Sequence, residues 1–180
     1  LAQAIEKRAE ACFECHGRNG TSTTPLTPSL GAQPSFFVLA QLFLSRDGRR
    51  TREPTPMDAF ARGLTNDDLR AFGELIAKLP PPAPPATKPD AARVARARPL
   101  VEQRKCAVCH NPDFSGREQM PRLANQREDY LLKAMQDYRS GNRIGYGNAA
   151  MAETVHGLGD AQLADLAHFL AHFPTTGTRR

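Results

Sequence analysis

All four cysteines of this 180-residue chain lie in two short motifs of the form Cys-x-x-Cys-His. Two thiols three positions apart at the end of a helix can each form a thioether with a haem vinyl group, and the adjacent imidazole is then held beneath the iron. The spacing therefore predicts two covalently bound haem c groups (iron). The motif residues are Cys12, Cys15 and His16 in the first copy and Cys106, Cys109 and His110 in the second.

Two other kinds of site use a pair of cysteines at this spacing. A thioredoxin-like redox pair requires a βαβ setting, and a structural zinc site requires four ligands. Neither requires a histidine directly after the second cysteine, and here that histidine occurs twice. Because the motifs use all four cysteines, none is left for a disulfide framework or a catalytic thiol.

The two motifs belong to an internal repeat of about 90 residues. Adding 94 to the numbers of Cys12, His16 and Met57 gives Cys106, His110 and Met151. Between these blocks the offset is 93, and the matched residues include Pro28 with Pro121, Gln33 with Gln126, and Arg50 with Arg143. The chain is therefore predicted to be a tandem duplication.

A proline-rich segment separates the two copies. Every residue from Pro80 to Pro85 except Ala83 is proline, a composition that favours extended polyproline geometry over helix or sheet. The predicted organisation is a first module at 1–80, a linker at 81–90 and a second module at 91–180.

Within each copy the apolar residues recur at helical spacing, and no segment alternates with a period of two. One such stripe contains Leu69, Phe72 and Ile76, with Thr65 and Asp68 placed as a capping pair before it. The predicted fold class is all-α. A module this small buries little core by itself, so the haem must supply much of it.

The sixth iron ligand separates an electron carrier from a catalyst or gas binder. Met57 and Met151 occupy equivalent repeat positions, each 41 residues after its histidine. Met120 and Met135 have no methionine partner in the other copy. We therefore predict His/Met ligation at both irons, with Met57 in a polar, proline-stiffened loop.

Repeated residues also indicate which groups surround each haem. An axial imidazole is oriented by a hydrogen bond from its second nitrogen, and the carbonyls of Pro28 and Pro121 are candidates to accept it. Arg50 and Arg143 are candidates to pair with haem propionates, and solvated surface arginines are the alternative.

His168 and His172 lie one helical turn apart, a spacing that also fits a metal pair. Their repeat partners are Glu74 and Lys78, which are ordinary solvent-facing residues. We therefore expect an exposed helical face instead of a metal site.

The net charge of +5 and the mean hydropathy of −0.50 describe a polar chain without an apolar run of membrane-spanning length.

Residues 91–180 carry 13 basic and 9 acidic side chains, against 11 and 10 in residues 1–90. This difference predicts docking of an acidic redox partner on the second module, through Arg117, Arg122 and Arg127. Simple solubility is the alternative.

With these features the chain resembles the dihaem cytochromes c of the cytochrome c4 family. The resemblance covers nearly the whole chain. It rests on the two haem motifs, on the Pro-x-Leu-x-x-Gln runs 28–33 and 121–126, on the Arg-x-Gly-x-Arg runs 46–50 and 139–143, and on the leucine-rich helix after each methionine. It implies two class I cytochrome c modules about a pseudo-twofold axis, with haem propionate edges facing across the interface. Two differences between the copies are Gly17 against Asn111 and Gln41 against Ala134.

The family also implies a bacterial periplasmic electron carrier, often loosely associated with the membrane, whose partners are terminal oxidases or dehydrogenases. The chain starts at Leu1 without a charged, apolar secretion signal, so we expect a mature form from which the signal is absent. We expect no nucleic-acid partner, and a monomer or a subunit of a complex.

Three function classes follow, and an electron carrier that is not an enzyme is the leading one. A gas or redox sensor is disfavoured because it would need a labile or absent sixth ligand and usually a signalling domain. The chain could equally be the cytochrome subunit of a larger dehydrogenase complex. A haem enzyme, either thiosulfate-oxidising or of the dihaem peroxidase type, is disfavoured. The former would need a cysteine ligand, whereas all four cysteines are assigned to thioethers, and peroxidase relatives are much longer.

Overall fold

A computed structural model describes residues 2–145 and 147–174, so the end of the second predicted module, 175–180, lies outside the described residues. The described residues form helices and two isolated bridges, with no extended strand among them. The all-α prediction is confirmed. Within these residues no helix has both the length and the apolar character needed to cross a membrane.

The helices divide between the two halves of the chain. In the first half they are α1 (Ala2–His16), α2 (Ser35–Arg46), α3 (Pro56–Ala61) and α4 (Asn66–Ala77), with a short 3-10 turn at Arg18–Gly20. In the second half they are α5 (Ala91–Gln103), α6 (Cys106–His110), α7 (Glu128–Ser140), α8 (Asn148–Val155) and α9 (Asp160–Ala171).

Helix α4 shows how the first half is assembled. Its N-terminus carries the predicted capping pair: Thr65 Oγ1 accepts from the Asp68 N–H at 3.2 Å, and Asp68 Oδ2 accepts from the Thr65 N–H at 2.9 Å. Leu69, Phe72 and Ile76 are buried on one face, and α4 packs against α2 and α1. The stripe predicted from helical spacing is therefore the core of this half.

The second half is built around α9, which packs against α5 and α7. Leu163, Leu166 and Leu170 of α9 are buried in a cluster that also holds Phe114 and Phe169. Edge-to-face aromatic contacts, with ring centroids 6.2 Å apart for Phe114 and Phe169, fix the loop after α6 on this helix.

The helix before the second motif has a proline in its interior. Proline favours the first turn of a helix, but Pro99 lies inside α5, whose N-cap is Asp90. A left-handed residue, Lys105 with φ 53°, then separates α5 from α6. The helix that runs unbroken into His16 in the first copy is therefore divided in two in the second copy.

Two glutamine side chains hold the halves together in a reciprocal arrangement. Gln33 donates to the Arg122 carbonyl at 3.0 Å and accepts from the Arg122 N–H at 2.9 Å. Gln126 donates to the Ser29 carbonyl at 2.8 Å and accepts from the Ser29 N–H at 2.8 Å. Since Gln126 and Arg122 are the repeat partners of Gln33 and Ser29, the contact has pseudo-twofold symmetry.

A substitution at Gly73 tests the packing of α4 on α2. A Cβ at Gly73 would lie 2.6 Å from the Ser35 carbonyl oxygen. We expect Gly73→Ala to lower the free energy of unfolding by about 1–3 kcal/mol through overpacking, although alanine is the better helix former. Denaturant titration of the haem-loaded protein measures this change.

Gly63→Ala is the matched control, because a Cβ there meets nothing within 4 Å. We expect that variant to unfold like the wild type. Equal stability of Gly73→Ala and the wild type would contradict the close approach of the two helices.

Candidate functional site

The two motif histidines are buried and held in the same way. His16 ends α1 and His110 ends α6, and they are only 7% and 6% exposed. Nδ1 of His16 lies 2.7 Å from the Pro28 carbonyl oxygen, and Nδ1 of His110 lies 2.9 Å from that of Pro121. Because a carbonyl only accepts, each Nδ1 carries the proton.

Burial lowers the pKa of both imidazoles, which favours the neutral ring. With the proton on Nδ1, each Nε2 has a free lone pair, and no hydrogen-bond partner for it is found among the described residues. A neutral imidazole whose orientation is fixed by its other nitrogen is the usual form of a histidine metal ligand. Both histidines therefore suit an iron ligand.

The cysteines lie within one helical turn of these imidazoles. Cys12 and Cys106 are half-buried, whereas Cys15 and Cys109 are exposed, and all four thiols are free of disulfides. Residues three apart on a helix share a face, so each pair presents two sulfurs side by side. Burial raises the pKa of the Cys12 and Cys106 thiols. This arrangement fits the two thioethers of a covalent haem.

The turn after each histidine needs a left-handed residue, and the copies meet this need differently. Gly17 has φ 80°, and a Cβ there would lie 1.8 Å from the Thr21 carbonyl oxygen. Its counterpart Asn111 has φ 69° and donates through Nδ2 to Ser115 Oγ at 3.0 Å and to the Gly116 carbonyl at 2.9 Å. The asparagine thus preserves the positive φ of this turn.

Both candidate methionine ligands are half-buried and belong to short helices. Met57 was expected in a loop but lies in the first turn of α3, where the Asp58 carboxylate accepts a hydrogen bond from the Thr55 N–H at 2.6 Å. Met151 lies in α8 and packs against the core of the second half. Met135 is a buried core residue.

Arg50 and Arg143 meet at the boundary between the halves. Gln41 Oε1 accepts from both, at 3.0 Å from Arg50 Nε and 2.6 Å from an Arg143 Nη atom. Arg50 also donates to the Tyr130 hydroxyl at 3.1 Å, and the Arg143 guanidinium lies 5.2 Å from the centre of the Tyr138 ring. Backbone hydrogen bonds between 50–52 and 142–144 hold the two residues side by side.

This arginine pair carries two like charges with only neutral acceptors. Arg143 is buried and Arg50 half-buried, and neither forms an ion pair with any residue that the structure describes. Burial alone would raise the pKa of Tyr130, but the charges of Arg50 and Arg143 lower it to about 8. Like charges held close together and away from water are unfavourable unless an anion or nearby dipoles offset them. The haem propionates expected at this position fit that requirement.

Sequence reasoning missed Gln41 and Tyr130. Their repeat partners are Ala134 and Phe37, so a search for repeated residues passes over them. The sequence did contain one signal for Gln41. This position is polar in the first copy, whereas the equivalent position in the second copy is alanine (Ala134) on an otherwise repeated helix.

The predicted docking arginines are only partly on the surface. Arg117 is exposed. Arg127 instead donates to the Ser22 carbonyl at 3.2 Å and pairs with Asp129, and the Arg122 backbone is bound by Gln33. Arg122 and Arg127 are half-buried and help to join the two halves, and docking on the second module stays a prediction.

His168 also differs from the prediction, since it is 6% exposed instead of solvent-facing. The Asp90 N–H donates to its Nε2 at 2.9 Å, so Nδ1 carries the proton and donates to Glu128 Oε2 at 2.9 Å. Three side chains lie close enough together to hold a metal ion, namely those of Glu128, His168 and His172. The Arg93 guanidinium, however, lies 3.0 Å from His168 Nδ1 and 2.8 Å from Glu128. This cluster is a structural network that anchors the start of α5.

Comparison with known proteins supports the haem assignment. The family model "Cytochrome c" matches residues 94–174. A cytochrome c4 of Thiocapsa roseopersicina is 28% identical over 176 residues, which cover 93% of this chain and 90% of the relative. Cytochrome c-554(548) of Halomonas halodenitrificans is 35% identical over 65 residues, 36% of this chain and 78% of the relative.

A third relative is a thiosulfate dehydrogenase electron acceptor of Thiomonas intermedia, 27% identical over 98% of this chain and 84% of the relative. Among solved structures, the reduced recombinant cytochrome c4 of Pseudomonas stutzeri superimposes with a TM-score of 0.82 at 22% identity. It covers 97% of this chain and 99% of that one, so the fold extends over both halves.

The two Cys-x-x-Cys-His motifs fit two covalently bound haem c groups, one in each half of the chain. The chain belongs to the cytochrome c family, and its relatives along nearly its whole length include cytochromes c4.

Proposed function

We propose that this protein carries electrons between other redox proteins, with His16 and Met57 as the ligands of one iron and His110 and Met151 as those of the other. The observation that carries the proposal is the pair of buried imidazoles, each fixed by a proline carbonyl with Nε2 unpaired. When bound, haem supplies reversible one-electron chemistry between its ferric and ferrous states.

The chain's own residues set the conditions for this chemistry. The Pro28 and Pro121 carbonyls hold the imidazole rings in one orientation and increase their basicity. Thioether ligands from Met57 and Met151 would favour the ferrous state and raise the reduction potential. With both axial positions filled by protein, no position remains for a substrate. Electrons are then exchanged without making or breaking bonds.

Arg50 and Arg143 would bind propionates at the boundary between the halves. Two buried positive charges make the addition of an electron to a nearby centre more favourable. Gln41 holds both guanidinium groups in place through a single oxygen. The pair therefore positions and neutralises the acidic edge of both cofactors.

We propose two modules, 1–80 and 91–180, joined by a linker at 81–90. Residues 81–90 form neither helix nor strand. The helices pack on one another within α1–α4 and within α5–α9. The glutamine contacts described above would hold the two modules at a fixed separation.

We propose a periplasmic location in a bacterium, because this kind of haem attachment implies assembly outside the cytoplasm. The donor and acceptor would be a dehydrogenase and a terminal oxidase. A second candidate is the electron-accepting cytochrome of a dehydrogenase complex. It is favoured by the similarity to a relative described as a thiosulfate dehydrogenase electron acceptor.

The methionine ligands are tested by the weak far-red absorption band that a sulfur–iron bond gives in the oxidised protein. We expect Met57→Leu and Met151→Leu each to remove about half of this band and the double variant to remove all of it, because each iron loses its thioether. Absorption spectroscopy of the oxidised variants measures the loss.

Met120→Leu and Met135→Leu serve as controls of the same size and hydrophobicity, and both should keep the band. A band that persists in the double variant would show that other sulfurs bind the irons.

The arginine pair is tested by the reduction potentials. We expect Arg143→Gln to lower them by an amount on the order of 1 kcal/mol, since a buried positive charge near the cofactor is lost. Arg49→Gln removes the same charge from an exposed neighbour of Arg50 and should leave the potentials nearly unchanged. Equal shifts in the two variants would contradict the role of the buried pair.

A further inference from the structure

One face of α2 is apolar where the equivalent face of α7 is polar. The residues on this face of α2 are Phe36, Leu39, Ala40 and Phe43, and their repeat partners in α7 are Asp129, Leu132, Lys133 and Gln136. Because they are three and four residues apart, they form one stripe along each helix. Three of the four positions therefore change from polar to apolar between the two copies.

The α2 face, defined as Phe36, Leu39, Ala40 and Phe43, is open at the surface. Phe36 is 52% exposed, and the other three are half-buried. A cleft of about 210 Å³ lies between this face and Gln119. None of the haem-attachment cysteines, histidines or proposed methionine ligands lines it. The accessibility of this face is therefore a property of α2 itself, and a surface this apolar marks a contact with another protein.

The polar residues of the α7 face are used within the chain. Asp129 accepts from the Leu26 N–H at 3.0 Å, and Lys133 pairs with Asp137. Phenylalanine at position 36 and alanine at position 40 can form neither interaction. The apolar residues of α2 therefore do not repeat the internal role that the α7 face has.

The order of residues along the α2 face fits a second copy of the same helix. A twofold axis perpendicular to α2 makes the two copies of this helix antiparallel. With the axis between Leu39 and Ala40, Phe36 of one copy meets Phe43 of the other, because both are equally far from the axis along the chain. The small side chain of Ala40 lets the helix axes approach to the about 8–10 Å of packed helices.

The charges beside the α2 face also match a second copy. Arg70 and Glu74 are exposed on α4, and with Phe36 and Leu39 they line a smaller cleft of about 110 Å³. The same twofold axis places both copies of α4 along one edge of the contact in opposite directions. Arg70 of each copy then faces Glu74 of the other, so the edge is complementary to itself.

We propose that the α2 face is the contact surface of a symmetric dimer of this chain, with the apolar stripe at its centre and Arg70 and Glu74 at its edge. This inference goes beyond electron carriage and does not rest on it. A dimer would hold four haem groups in one assembly. Because the apolar centre is only four residues long, the dimer forms in a concentration-dependent way.

The test gives α2 the residues that α7 already uses on its surface. The variant is Phe36→Asp/Ala40→Lys/Phe43→Gln. Sedimentation equilibrium of the haem-loaded protein, from about 1 to about 500 µM, measures the mass in solution. We expect the wild type to approach twice the mass of one haem-loaded chain as its concentration rises, and the variant to keep the mass of one chain throughout.

Leu26→Gln is the matched control. Leu26 is 53% exposed, lies outside the α2 face and has Gln119 as its repeat partner, so this variant makes the same kind of exchange elsewhere on the surface. It should associate like the wild type. Intact mass with both haems shows that each variant is correctly assembled.

The charged edge is tested by reversal and exchange. Arg70→Glu places like charges opposite each other twice in the dimer, so we expect it to raise the dissociation constant about tenfold. The exchange Arg70→Glu/Glu74→Arg restores the opposite pairs and should return the constant to within about threefold of the wild type. An exchange variant that associates no better than Arg70→Glu would overturn the pairing of these residues.

A wild type that keeps the mass of one chain at every concentration would overturn the dimer and would leave the α2 face to a different protein. A triple variant that still doubles its mass would overturn the assignment of the contact to this face. Neither result depends on the far-red band, so the proposed iron ligands are tested separately.

Discussion

The hydrogen bond from each buried imidazole to a proline carbonyl is the constraint on which the rest of the structure depends. It requires that the chain turn back after the histidine, and the left-handed residues Gly17 and Asn111 make this turn. It also requires that both partners lie away from water, because an exposed imidazole would be free to rotate and to take up a proton. The helices of each half enclose this contact.

A second constraint acts between the halves. The arginine pair places two like charges in the interior, which is unfavourable unless an anion or a set of dipoles offsets it. Gln41 and Tyr130 supply dipoles, and the reciprocal contacts of Gln33 and Gln126 hold the surrounding backbone. The proposed propionate site and the joint between the two halves are thus the same part of the molecule.

Repetition decided what could be predicted from the sequence. The all-α fold and the buried stripe of α4 followed from helical spacing, and repeated positions pointed to the residues around each histidine. Features present in only one copy were missed: Gln41, Tyr130, the buried His168 and the interior position of Pro99. Local charge did not reveal that Arg122 and Arg127 also contact the other half of the chain. These features depend on contacts between distant segments, which periodicity does not record.

With protein ligands on both sides, each iron would exchange only electrons. Carbon monoxide tests this directly, since it binds ferrous haem with an open or weakly held axial position. We expect carbon monoxide to leave the Soret band of the fully reduced protein unchanged at neutral pH. A shift of that band at either haem would contradict it, because that iron would have a position available to a substrate.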